Sequence, residues 1–176
     1  MVFLLVPILV VACWLVAPGA RARMAARFTA ASPPSVTLTA VCGVVGAALA
    51  QTAPRENVAA WVVFTAGELL VIVWALYVSR QVDGLVLVAM GTAVNLLVVV
   101  ANRGMPVPLG HPAPAQFLHH VTTSADRLLW LSDRFHVGSG VFGGWYSIGD
   151  VIVLVGMGVV VAQLAWRDRQ RVPASS

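Results

Sequence analysis

Lysine is absent from this sequence, and charge of either sign is scarce. Eleven arginines and seven acidic residues make up 10% of 176 residues. A water-soluble domain typically carries about a quarter charged residues, so an ordinary solvated surface is excluded. The arginines sit in short links between apolar runs and form no single basic face, which excludes a nucleic-acid partner. Cysteine is nearly missing: Cys13 and Cys42 both fall in apolar runs, at a spacing that fits no metal or redox motif. His111, His119, His120 and His136 match no zinc-site spacing either. Neither a metal nor a cofactor is expected.

What fills the chain instead is hydrophobic sequence, 59% of it. Five apolar runs follow one another, at about 2–17, 36–50, 57–78, 83–101 and 147–166. About 20 such residues cross the hydrocarbon of a bilayer as one helix. The predicted fold is therefore all-α, a polytopic transmembrane helical bundle of about five crossings. The first run is short and contains Pro7. It resembles a secretory signal but lacks a positive start, and more charge follows it than precedes it, so it reads as a retained helix. The most coherent run begins at Asp83 and continues uncharged to Ala101. It stops at Asn102-Arg103-Gly104-Met105-Pro106, a polar exit with glycine and proline that does not continue a helix.

Residues 102–146 form a less apolar connection. Phe117, Leu118, Val121 and Leu128 to Leu131 alternate there with His, Thr, Asp and Arg. That mixture predicts a short helix lying in the membrane interface. The last run opens at Ser147-Ile148-Gly149-Asp150, with the spacing of a capping box, and ends at Arg167, Arg169 and Arg171. Charge then sets an orientation. With five crossings, seven arginines (21, 23, 27, 80, 167, 169 and 171) share one side and four (55, 103, 127 and 134) the other. The positive-inside rule places the N-terminus outside, the 102–146 connection outside the cytoplasm, and the 167–176 tail within it.

Few residues stand out as candidates for function. Glu68 lies near the middle of the third run, where a carboxylate is expensive and faces other helices or a polar cavity. It reads as a proton relay, a cation or substrate contact, or an acid bonded to a neighbouring helix. Asn95 is its candidate partner across a helical hairpin, because an amide both donates and accepts. Asn102, Arg103, Asp133 and Asp150 are expected together at the outer face. Arg103 there could grip a phosphate or carboxylate or pair with Asp150. The plainer alternatives are an Asn102 that closes a helix end and an Asp150 that caps one.

The stretches GTAVNLLVVVANRGMPVP, ADRLLWLSD and YSIGDVIVLVGMGVVV, in that order, resemble the DUF5317 family of small bacterial membrane proteins. The matching positions are Asn95, Ala101, Asn102, Gly104, Met105 and Pro106, then Arg127, Leu128, Leu131 and Asp133, then Ser147, Ile148, Gly149 and Asp150. Arg103 departs from the pattern, standing where the family usually has a glycine. The resemblance implies a multi-pass protein of the bacterial plasma membrane, with the matched residues together at the outer side. It implies no activity.

Three function classes follow, in order of expectation. The first is a binding or accessory scaffold protein whose outer polar site meets membrane lipids, a protein partner or a second copy of the chain. The second is a membrane-embedded enzyme acting on a lipid-linked substrate, with Asp133 or Asp150 in acid–base work. The third is a small proton-coupled transporter built on Glu68.

Overall fold

The computed structural model describes residues 34–50, 54, 56–80, 82–108, 118–138 and 144–169. The first apolar run and His111 lie outside the described residues. Among the described residues four helices carry the fold: α1 (Pro34–Ala50), α2 (Val58–Val78), α3 (Leu85–Asn102) and α4 (Ile148–Arg169). Each packs against the next in sequence. The helix ends follow local chemistry. The Asn57 side chain accepts the Ala60 N–H at 3.1 Å and starts α2. Gly84, at φ 90°, turns the chain into α3 in a conformation that favours glycine.

Two of the five expected crossings meet the length and hydropathy needed to span a membrane, α2 and α3. The described residues thus support two of the about five expected crossings. The described apolar part of α4 is Ile148–Gln163. The described apolar part of α1 is shorter still, Ala40–Ala50.

The connection also differs from expectation, and with it the all-α class. No interfacial α-helix forms among its described residues. Two small sheets and one 3-10 turn, Leu129–Leu131, replace it. Strand β1 (Met105–Val107) pairs in parallel with β2 (His119–Val121), and β3 (Phe135–Val137) pairs antiparallel with β4 (Gly144–Tyr146). The reason is Pro106, which has no N–H and keeps the exit from α3 extended. Once β1 is extended, its free backbone groups need partners, and 118–122 supply them. Met105 N–H donates to the Leu118 carbonyl, and Thr122 donates to the Val107 carbonyl through both its N–H and its hydroxyl, each at 2.9 Å. Leu128, at φ 56°, breaks what would have been a helical run.

Glycine sets how close the helices come. α3 and α4 run antiparallel, with Gly84 against Gly156 and Gly91 against Gly149. Each pair is spaced seven residues along its own helix, which returns to the same face after two turns. A Cβ on Gly156 would stand 2.7 Å from the Gly84 carbonyl oxygen, and one on Gly91 2.7 Å from Val153 Cγ2. α1 and α2 cross in the same manner at Gly43 and Gly67. Small residues at such crossings are how helices associate when lipid removes the hydrophobic drive between them.

Burial is inverted relative to a soluble protein. Val62, Leu69, Val73 and Leu76 of α2 are exposed, as are Val86, Met90, Leu97 and Val100 of α3. Glu68, Ser147 and Asp150 are buried. Two apolar clusters lie inside. One gathers Val78, Leu85, Val88 and Met157 at the end where α2 turns into α3, the turn end. The other gathers Phe64, Leu96, Val99, Met105, Leu118 and Leu131 at the opposite end, the loop end.

Candidate functional site

The polar residues of the loop end are assembled by the close crossing of Gly91 and Gly149. One turn after Gly91, Asn95 projects onto the start of α4, where a side chain at position 149 would collide with its amide. Glycine at 149 therefore lets Asn95 reach past the backbone. Its Nδ2 donates to Asp150 Oδ1 at 2.6 Å, and its Oδ1 accepts from the Ser147 hydroxyl at 2.7 Å. The remaining bonds are the reciprocal capping box the sequence predicts. Ser147 N–H donates to Asp150 Oδ2, and Asp150 N–H donates to Ser147 Oγ, both at 3.0 Å. Both carboxylate oxygens of Asp150 and both ends of the Asn95 amide are thus in use.

Asn102 holds the loop to the bundle. Its Nδ2 donates to the Val98 carbonyl and to the Arg127 carbonyl, each at 2.9 Å, and its Oδ1 accepts the Arg127 N–H at 2.7 Å. The same side chain closes the last turn of α3 and fastens a loop residue 25 positions on. Arg103 follows in the left-handed conformation, φ 50°, and Gly104 reverses the chain at φ 145°. Arg103 is exposed, whereas Asp150 is buried and bonded to Asn95 and Ser147. The two do not form the expected pair. Met105 and Pro106 are buried beneath the loop as strand β1.

Two histidine–carboxylate pairs complete the cap. His119 Nε2 lies 3.3 Å from Asp133 Oδ2, and His120 Nε2 lies 2.9 Å from Asp126 Oδ1. Asp133 is 3% exposed and close enough to Asp150 for the two charges to repel. His119 Nδ1 and His120 Nδ1 are buried with no hydrogen-bond partner among the described residues. Asp126 also accepts the Thr123 N–H at 2.7 Å. Burial pushes its carboxyl up, but that N–H and the His120 ring outweigh burial and hold it below the usual carboxylate range.

The candidates therefore divide by position. Asn95, Ser147, Gly149 and Asp150 make one network, with Asp133 beside it, and Asn102 makes a separate clamp. Glu68 joins neither. It is 3% exposed inside α2, and its Oε1 has no hydrogen-bond partner among the described residues. His119 is a contributor that spacing could not find, since it pairs across the loop with Asp133, whereas His120 pairs locally with Asp126. The glycine seam was findable, because Gly84, Gly91, Gly149 and Gly156 repeat at heptad spacing. Among the described residues no group of three or more His, Cys, Asp and Glu could hold a metal ion.

No curated protein and no solved structure matches the chain. The model of a family of unknown function, DUF5317, matches residues 33–162, well over half of the sequence and all of the network just described.

Proposed function

The chain belongs to the DUF5317 family, and we propose that it is an integral membrane protein acting as a binding or accessory scaffold through its loop-end cap. The observation that carries this reading is the inverted burial. Large apolar side chains ring the outside of α2 and α3, while Glu68, Ser147, Asp133 and Asp150 lie inside. Such a surface is stable against hydrocarbon, not water. In this reading the cap stands on the outer face of the bacterial plasma membrane, and α4 and α1 complete the crossings. Asn102 and Arg103 lie at the face offered to a lipid headgroup, a protein partner or a second copy, and the buried Asp133 and Asp150 support it from beneath. A fastened loop favours binding, because its shape is fixed before a partner arrives.

The test is native mass spectrometry of the protein released from detergent or nanodiscs. The wild type is expected to retain a specific lipid or partner that Asp133→Asn loses while remaining folded. Equal retention by both would remove the polar cap from the binding role.

The His119–Asp133 pair supports a second reading, a membrane-embedded enzyme acting on a lipid-linked substrate. A carboxylate on Nε2 orients the imidazole and leaves Nδ1 to exchange a proton with a substrate. Against it, Asp133 and Asp150 are closed off from the surface. Turnover of a lipid-linked substrate abolished by His119→Ala would promote this reading over the first. Transport ranks third: it needs a polar passage to Glu68, whose neighbours along α2 are apolar.

A further inference from the structure

We propose that one face of the cap, Trp130, Phe135 and Val137 with Arg127 and Arg134, is seated in a layer of anionic lipid headgroups. The inference rests on the membrane reading above and adds the chemistry of one surface to it.

The first observation is exposure. Trp130 is 60% exposed, and Phe135 and Val137 are each 50% exposed. A single exposed apolar side chain carries no message. Three within one short stretch do, because this stretch belongs to the most polar part of the chain and has a buried cluster beside it that accepts Leu131. Aromatic residues gather at the membrane–water boundary, where one end of the ring is in hydrocarbon and the other is wet.

The second observation is the sorting of charge. The acids of the cap turn inward. Asp126 meets His120, Asp133 meets His119, and Asp150 meets Asn95 and Ser147. Arg127 and Arg134 are exposed, and neither joins an ion pair among the described residues. The cap therefore exposes Arg127 and Arg134 as well as Trp130 and Phe135, with its acids inside. A guanidinium fork fits a phosphate with two parallel hydrogen bonds.

The third observation fixes depth. Arg127 is tied by its backbone to Asn102, the last residue of α3, so it lies where that helix leaves its apolar span. On the other arm, Arg134 N–H donates to the Tyr146 carbonyl at 3.0 Å, and Phe135 is in register with Tyr146, two residues before α4 begins. Both arms of the patch are thus held at helix ends, the level at which headgroups lie. Leu97 and Val100 are exposed on the last turns of α3, at the same end of the bundle.

Inorganic phosphate shares the headgroup's charge but not its acyl chains, and the test separates the two. Full-length protein is placed in nanodiscs of phosphatidylglycerol or phosphatidylcholine carrying bromines either near the ester or at mid-chain. The difference between wild type and Trp130→Phe isolates the Trp130 emission. The expected result is quenching of Trp130 by shallow bromines, stronger in phosphatidylglycerol. Preference for phosphatidylglycerol in lipid competition should fall about fivefold for each of Arg127→Gln and Arg134→Gln, and added inorganic phosphate should leave it unchanged. Trp130 quenched by aqueous iodide and untouched by bromines at either depth, with the other tryptophans still quenched by bromines, would overturn the inference and leave the membrane reading standing. Silence of all the tryptophans toward bromines would overturn both. Loss of the lipid preference on adding phosphate would show an anion site in place of a lipid surface.

Discussion

The two ends of the α3–α4 pair begin from the same backbone geometry and finish differently. At the turn end, Gly84 meets Gly156, and the polar closure is one exposed bond, Gln163 Nε2 to Asp83 Oδ2 at 2.5 Å. At the loop end, Gly91 meets Gly149, and the closure is a mostly buried network of Asn95, Ser147 and Asp150. Close approach is thus a property of the whole seam, whereas polar specificity is concentrated at one end. An exposed bond competes with water and adds little, but a buried donor left without its acceptor costs its full desolvation. The loop end is where position is defined most tightly, and there the loop carrying the candidate site is attached.

The largest expected effect tests the shared part of this comparison. Gly91→Val and Gly156→Val should each destabilise the protein by about 3 kcal/mol or more, since backbone of the facing helix would have to move. Thermal unfolding in detergent measures this. Gly158 is the control. A Cβ there meets nothing within 4 Å, so Gly158→Ala should be neutral or stabilise by up to about 1 kcal/mol. Equal losses at 158 and 156 would mean that helix propensity, not the seam, governs.

The next effect separates the ends. Asp150→Ala removes a helix cap and strands the half-buried Asn95 amide, at an expected cost of about 3 kcal/mol. Asp83→Ala removes an exposed hydrogen bond and should cost less than about 1 kcal/mol. Equal costs in the same melts would erase the distinction.

A smaller change of opposite sign is expected at the exit of α3. Arg103 adopts φ 50° and ψ 44°, where a Cβ is strained and glycine is not. Arg103→Gly should therefore raise stability by about 1 kcal/mol. The resemblance that expects glycine at this position has its physical reason in that backbone conformation.

The smallest effect is a pH dependence confined to the cap. Asp126 binds its proton less readily when folded than when unfolded, because the Thr123 N–H and the His120 ring favour its charged form. Its contribution is complete above the ordinary carboxylate value of about 3.9 and is lost as pH falls through the lower folded value. Asp126→Asn should flatten that acid limb in a plot of melting temperature against pH. An unchanged limb would place the acid sensitivity elsewhere.

The helices and the loop-end residues were legible for different reasons. An uninterrupted apolar run announces a helix without regard to its neighbours, so α2 and α3 fall close to their expected bounds. Ser147 and Asp150 were legible as a cap because three residues of spacing fix a local geometry. The strands were not legible. His119–Val121 reads as part of an amphipathic helix until Pro106 holds β1 extended and makes its backbone groups available. The Glu68–Asn95 pairing was a reasonable inference from two polar residues on adjacent helices, yet Asn95 turns toward α4. Nothing in one dimension distinguishes the two faces of α3 that far.

Composition and order alone determined that this chain buries its polar minority and shows its apolar majority, because too few charges exist to cover it otherwise. They also determined where helices start and stop, since caps, prolines and glycines act within a few residues. Only the tertiary structure decided which polar groups meet. Glycines 58 residues apart, at 91 and 149, must come into contact before Asn95 can reach Asp150. That reach depends on packing distance, a quantity no local stretch of sequence contains.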